Sequence, residues 1–195
     1  MMECEFSILI VGVGGQGVLL ASELIAAVAL KSNLDVKKSE VHGMAQRGGV
    51  VSSHVRIGHR VHSPTISYGR ADVLISFEQA EGLRAIDWIK EDGVAIVSTT
   101  SIVPAIVSSS RELSYPDEPI KQMREKAERV VSVEADMIAR ELGNPRLVNT
   151  VLLGVLSNHL PFDAALWREV IEAGVKAQFV EANLAAFERG RSVEA

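Results

Sequence analysis

Three patterns predict an α/β fold for this chain of 195 residues. Short, almost wholly apolar runs at residues 6–11, 71–78, 93–98 and 129–133 have the composition of strands buried on both faces. Between them apolar residues recur three and four apart, the spacing of helices with one face against a sheet. The first run tightens into Gly12-Val13-Gly14-Gly15-Gln16-Gly17 and opens onto the first helix, a strand, turn and helix in series. Together these give a Rossmann-like, largely parallel sheet with an antiparallel hairpin and helices on both faces. The length suits a single domain over residues 1–195.

Composition excludes several classes. With 47% apolar and 23% charged residues the chain is not disordered, and a net charge of −5 leaves no basic excess for a nucleic-acid partner. Cys4 is its one cysteine, so this chain forms no internal disulfide and houses no iron–sulfur cluster or multi-thiolate zinc site by itself. The N-terminus is acidic and its apolar run stops at Gly12, unlike a signal peptide. The longest apolar segment, residues 18–30, contains Ser22 and Glu23 and is too short to cross a bilayer. No membrane association and a cytoplasmic location are expected.

The glycine turn carries the first site prediction. Gly12, Gly14 and Gly17 have the spacing of a dinucleotide-binding turn, with Gly15 and Gln16 between them. Backbone N–H groups at a helix start, backed by the helix dipole, form a seat for an anion. Val18, Ala21, Ile25 and Val28 mark the following helix, and residues 34–38 a second strand that completes a strand, helix, strand unit. Glu40, about 20 positions beyond the turn, stands where a dinucleotide site places its ribose-binding acid.

Residues 39–49 then pack Glu40, His42, Gln46 and Arg47 among Gly43, Gly48 and Gly49. Loops after the C-terminal ends of strands line the crevice of an open α/β sheet, so this loop and the glycine turn are expected to form one surface. Residues 50–57 alternate, with Val51, Ser53, Val55 and Ile57 on one face. Gly58-His59 reads as a hairpin turn with residues 60–62 returning antiparallel. His54, His59 and His62 are read as ordinary exposed hairpin histidines, and no metal is assigned.

Further along, residues 71–78 and 93–98 read as buried parallel strands separated by a helix over 79–89. Glu78 and Ser98-Thr99-Thr100 fall on the crevice side. A short strand at 105–108, a helix at 120–128, a strand at 129–133 and a helix at 134–142 ended by Gly143 follow. Residues 147–160 form a strongly apolar helix, in which Asn149 either faces solvent or contacts a loop or partner. After Pro161 one long helix carries a double apolar stripe through Trp167, Ile171, Val175 and Phe179, so it is either sandwiched within the domain or turned toward another subunit.

No nucleophile elbow, zinc-binding H-E-x-x-H or Walker lysine is present. The residues then fit an NAD(P)-linked oxidoreductase, a subunit whose cofactors lie elsewhere, or a nucleotide-sensing module.

The G-V-G-G-Q-G turn at 12–17, followed by K-S-E-V-H-G-M-A-Q-R-G-G at 38–49, resembles the gamma subunit or domain of the 2-oxoacid:ferredoxin oxidoreductases, most of all the small subunit of the indolepyruvate-oxidising branch. The likeness runs through nearly the whole chain, including the Asp72 strand and residues 149–154. It implies oxidative decarboxylation of an aryl 2-oxoacid to an acyl-coenzyme A with ferredoxin reduction. Thiamine diphosphate and iron–sulfur clusters would sit on a large partner subunit. The lone cysteine and the lack of a thiamine-binding G-D-G agree with that division. It further implies that Gly12, Gly14, Gly15, Gln16 and Gly17 form a backbone nest that holds an anion of the cofactor or ligand, and that Glu40 also contacts the bound cofactor, ligand or partner. His42, Gln46, Arg47, Gly48 and Gly49 would meet ligand or partner, and the isolated chain would be inactive and could self-associate.

Overall fold

In a computed structural model, the described residues are 5–43, 49–104, 107–108 and 114–193. The sheet has six strands: β1 (Phe6–Val13), β2 (Asp35–His42), β3 (Val50–Gly58), β4 (Ala71–Ser76), β5 (Ile89–Ser98) and β6 (Arg129–Val133), in the order β2-β3-β1-β4-β5-β6. β1, β4, β5 and β6 pair in parallel, whereas β3 is antiparallel to both of its neighbours. Five strands therefore share one direction and β3 opposes them: the sheet is largely parallel as the sequence predicts, but its antiparallel hairpin joins β2 to β3 and not residues 50–57 to 60–62.

The order of the first three strands departs from the expected unit. Helix α1 (Val18–Lys31) carries the chain from β1 to β2 as expected, but β3 lies between the two strands. A short connection after β2 can only turn the chain back antiparallel, and β3 alternates well enough to pair along both edges. Its partners are β2 and β1, so no returning strand forms at residues 60–62. Instead the Val61 N–H donates to Asp35 Oδ2 at 2.8 Å and the Ile66 N–H to His54 Nδ1 at 3.2 Å, laying this segment over the sheet. His54 is covered there, its ring edge-on to Trp88, and burial holds its pKa below the usual histidine value.

Side chains alternate between two cores. Ile8 and Ile10 of β1, with Val55, Val73, Ile75 and Ile96, face α1 and the later helices. Leu9 and Val11, with Leu74, Ala95 and Val97, face α2 (Gln79–Ala85) and α3 (Pro119–Lys126). Helices thus cover both faces. α4 (Ala135–Glu141) ends at Gly143, and α5 (Val148–Ser157) is buried along its entire length.

The long final helix predicted after Pro161 is two helices. α6 (Ala164–Gly174) packs on α1, then Val175 and Lys176 are extended, and α7 (Val180–Arg191) packs on α5. The apolar stripe runs on across the break because both halves cover the same layer. Trp167, Val170, Ile171, Ala186 and Phe187 are buried within the fold, as the first of the two alternatives expects, while Phe179 beside the break is exposed. The expected strand at 105–108 also differs: Val107 and Ser108 are helical, and 105–106 lie outside the described residues.

α5 and α7 meet at Gly154 and Gly190. A Cβ on Gly154 would collide with the Phe187 carbonyl oxygen, and one on Gly190 with that of Val151. Gly→Ala in an exposed helix stabilises by about 1 kcal/mol. Here overpacking reverses the sign, and Gly154→Ala is expected to cost about 1–3 kcal/mol. A urea midpoint equal to or above that of the unsubstituted chain would show that the helices do not approach this closely.

Candidate functional site

The strand ends of β1 and β4 open side by side, and the glycine turn is tied to both its flanks. Gln16 does most of the tying. Its Oε1 accepts the Val13 N–H at 2.7 Å, and its Nε2 donates to the Phe77 carbonyl at 2.9 Å, just past β4. The Gln16 N–H returns to the Val13 carbonyl at 3.1 Å, and the Phe77 N–H reaches Val11 at 2.9 Å. Gly12 lies beneath this bridge, where a Cβ would come within 2.9 Å of both Gln16 Oε1 and Phe77 Cβ. The Gln16 amide therefore spends its hydrogen bonds on the turn itself.

Gly14 joins the two loops. Its N–H donates to the Gly49 carbonyl at 2.9 Å, while the Gly43 N–H donates to Val50 at 2.9 Å. The glycine turn and the start of β3 are thereby fastened to each other. Gly17 caps α1 with φ 91°, a left-handed conformation, and no side chain caps that helix. Its N–H groups in the first turn are the orphan donors that every helix start leaves. On the far side of Gly17 stands Asn149, 4% exposed, close enough that a Cβ on Gly17 would sit 3.2 Å from its Nδ2. The first turn of α5 therefore points Asn149 at the glycine loop, not at solvent.

Of the residues singled out from sequence, Gly12, Gly14, Gly15, Gln16, Gly17 and Gly49 come together here. Gln46, Arg47 and Gly48 lie outside the described residues, as does the His42 side chain. Glu40 is displaced: with β3 between β2 and β1, it lies one strand spacing, about 5 Å, further from the turn than in an adjacent pair. Its Oε1 meets Lys38 Nζ at 3.1 Å and the Ser22 hydroxyl of α1 at 3.3 Å.

Beside the turn is a polar cluster that joins Glu78 and Ser98–Thr100, the residues the sequence puts on the crevice side, to Glu81 and Tyr115. Glu78 is 1% exposed. Its Oε2 accepts the Glu81 N–H at 2.9 Å and so caps α2; its Oε1 accepts the Ile102 N–H at 3.0 Å and the Tyr115 hydroxyl. Ser98 and Thr100 share a hydroxyl contact at 2.7 Å, and the Gln79 N–H donates to the Thr100 carbonyl. Burial raises the Glu81 carboxyl, Arg84 opposes this, and the Glu78 charge adds to it. A glutamate directly after a buried strand and three residues before another glutamate was the available signal for the cap. Tyr115, 37 residues away in a turn, had none.

With this geometry in view, the comparisons with known proteins decide the family. The model of the pyruvate ferredoxin/flavodoxin oxidoreductase family matches residues 7–193. The chain belongs to this family. It is similar to the indolepyruvate oxidoreductase subunit IorB of Archaeoglobus fulgidus, at 40% identity over 95% of this chain and 94% of that one. Its fold is similar to that of the pyruvate oxidoreductase subunit PORC of Thermotoga maritima, with TM-score 0.71, 22% identity and 96% of each chain covered. It also resembles part of 2-oxoglutarate:ferredoxin oxidoreductase from Magnetococcus marinus, with TM-score 0.72 and 21% identity, covering 98% of this chain but 31% of that one. In that protein the same fold is a portion of a longer polypeptide. The family places the chain as a small subunit of a 2-oxoacid:ferredoxin oxidoreductase.

Two predictions follow the hydrogen bonds. Gln16→Leu leaves the Val13 N–H and Phe77 carbonyl without the amide and is expected to cost about 1–3 kcal/mol in urea unfolding; an unchanged midpoint would remove the bridge from the account. Tyr115 is the second. Burial first and the Glu78 bond second raise its pKa to about 12, above the unfolded value near 10. Its contribution to stability is full below pH 10 and lost as pH rises through 12. Phenolate absorbance should show a tyrosine ionising near the upper end of that window, and Tyr115→Phe should abolish that step.

Proposed function

We propose that this chain forms one wall of the active site in an oxidoreductase for aryl 2-oxoacids such as indolepyruvate. The overall reaction joins the 2-oxoacid anion and the coenzyme A thiol to give an acyl-coenzyme A, carbon dioxide and one proton, with two ferredoxins each taking one electron. The observation that carries the substrate class is the 40% identity to an indolepyruvate oxidoreductase subunit across nearly the full length of both chains.

The redox groups do not fit this chain. Cys4 cannot ligate a cluster alone, and no G-D-G run is available for thiamine diphosphate. Both belong to the larger partner in this reading, and no step of electron transfer is assigned to residues of this subunit. What the chain does supply is positioning. Gly14 and Gly49 hold two loops in register, Gln16 fixes the turn from within, and the uncapped start of α1 offers N–H donors to an anionic group of a ligand. Glu40, tethered to Lys38 and Ser22, braces the edge strand from which His42, Gln46 and Arg47 would meet ligand or partner. An arginine is suited to such a role through its forked donors.

Exposed apolar side chains support a partner on this side. Leu19 in the first turn of α1, Val41 at the end of β2, Val50 at the start of β3, and Ile102 and Val103 after β5 are 36–59% exposed. All five lie where the parallel strands end, around the two loops. Apolar side chains gathered at one end of a domain are suited to burial in an interface.

The glycine spacing favours a second reading, an NAD(P)-binding subunit, and the placement of Glu40 weighs against it. Titration of the chain with NADH, following nicotinamide fluorescence, separates the two: saturable micromolar binding would favour the dinucleotide. Co-expression with the large subunit should give a complex that oxidises indolepyruvate with coenzyme A and an electron acceptor, while the small subunit alone does nothing. In that complex Gln46→Ala and Arg47→Ala should lower kcat/KM at least about tenfold, equivalent to about 1.4 kcal/mol. Unchanged kinetics in both variants would remove the loop from the site.

A further inference from the structure

Helix α1 is apolar on every side and yet is not covered on every side. Its 14 residues carry two charges, Glu23 and Lys31. Ala21, Leu24, Ile25 and Val28 are buried in the core, as a helix on one face of an α/β sheet requires. The opposite, solvent-facing side of such a helix is ordinarily charged or polar. Here Leu20, Glu23, Ala27, Leu30 and Lys31 make that side at spacings of three and four, and Leu30 is 59% exposed. A cavity of about 270 Å³ between α1 and α6 continues the apolar surface sideways, lined in part by Leu20, Leu24, Ala27 and Val170. Apolar side chains gathered in this way are stabilised by burial against another surface.

The two charges decide what that other surface is. Glu23 and Lys31 stand eight residues apart, about 12 Å along the helix axis, with Ala27 midway between them. A second α1 laid antiparallel across the first, with a two-fold axis through Ala27, brings Glu23 of each copy level with Lys31 of the other. A parallel pair would set like charges level instead. Ala27 at the crossing is small enough to let the axes approach to the separation of packed helices, about 8–10 Å. Both charges are available for such a contact. Glu23 has no basic partner among the described residues, and Lys31 Nζ, 2.6 Å from Glu169 Oε1, keeps further donors on an exposed side chain.

We propose that the exposed face of α1 is the contact between two copies of this chain, paired antiparallel about Ala27 and matched by Glu23 and Lys31 across the two-fold axis. The proposal does not rest on the reading of the chain as a subunit. Sedimentation equilibrium of the full chain over a concentration series should give twice the chain mass. Glu23→Lys alone and Lys31→Glu alone each set like charges level at both ends of the crossing and should weaken the pair at least about tenfold. The two substitutions together in one chain restore opposite charges and should bring the affinity back. Ala27→Arg should give a monomer with an unchanged circular dichroism spectrum. The proposal fails if the chain sediments as a monomer, if the single charge variants pair as tightly as the unsubstituted chain, or if the double exchange does not recover what either single variant loses. It also fails if the large subunit, added to the dimer, displaces the second copy, since the face then belongs to a contact between unlike chains. A monomer in the first measurement leaves the reconstitution experiment untouched.

Discussion

The side-chain amide of Gln16 is the interaction on which the crest of this molecule depends. It accepts from one strand's last residue and donates to the carbonyl just beyond its parallel neighbour, closing β1 to β4 where both open outward. Everything near it is shaped by that bridge. Gly12 carries no side chain because Gln16 and Phe77 fill the place a Cβ would take, and Gly14 is left free to bond the second loop. A glycine-rich turn usually leaves its interior for a ligand. Here a residue of the turn occupies part of it.

That substitution explains why the glycine spacing is ambiguous in function. The spacing records a tight strand-to-helix turn with close packing beneath it, and such a turn has several uses. A dinucleotide site needs in addition an acid on the neighbouring strand. β3 has been inserted between β1 and β2, so Glu40 is carried one strand outward and is held by Lys38 and Ser22. The same insertion brings Gly49 beside Gly14. One change in strand order thus carries Glu40 away from the glycine turn and fastens the two loops to each other.

Much of the fold was legible because burial leaves a period in the sequence. The alternation of Val51, Ser53, Val55 and Ile57 appears as alternating exposure in β3, and Ala21, Ile25 and Val28 are buried on α1. Neighbour order leaves no such trace, since a strand that can pair on both edges looks the same as one that pairs on one. This is why alternation alone pairs β3 with residues 60–62, whereas its partners are β2 and β1. The break at Val175-Lys176 was hidden because both helices cover one layer, so the stripe never lapses. The candidate site was legible in part. Its glycines come together because they are adjacent in sequence, whereas Tyr115 and Asn149 reach it from elements far along the chain, and only tertiary packing brings them there.

Asn149 touches both the glycine turn and a cavity bordered by the break between α6 and α7. One side of its amide rests against Gly17, the left-handed residue that starts α1, and the other borders the cavity behind. Because Gly17 has no Cβ, the turn and α5 approach within van der Waals distance, and neither can shift far without the other. The hydrogen bonds from Thr150 through Asn183 to Phe179 extend that contact into the margin of the cavity. The glycine turn and α7 are therefore joined by a short series of contacts and hydrogen bonds that does not pass through the sheet. The interruption between α6 and α7, invisible in the apolar pattern, is what leaves room for both the cavity and this connection.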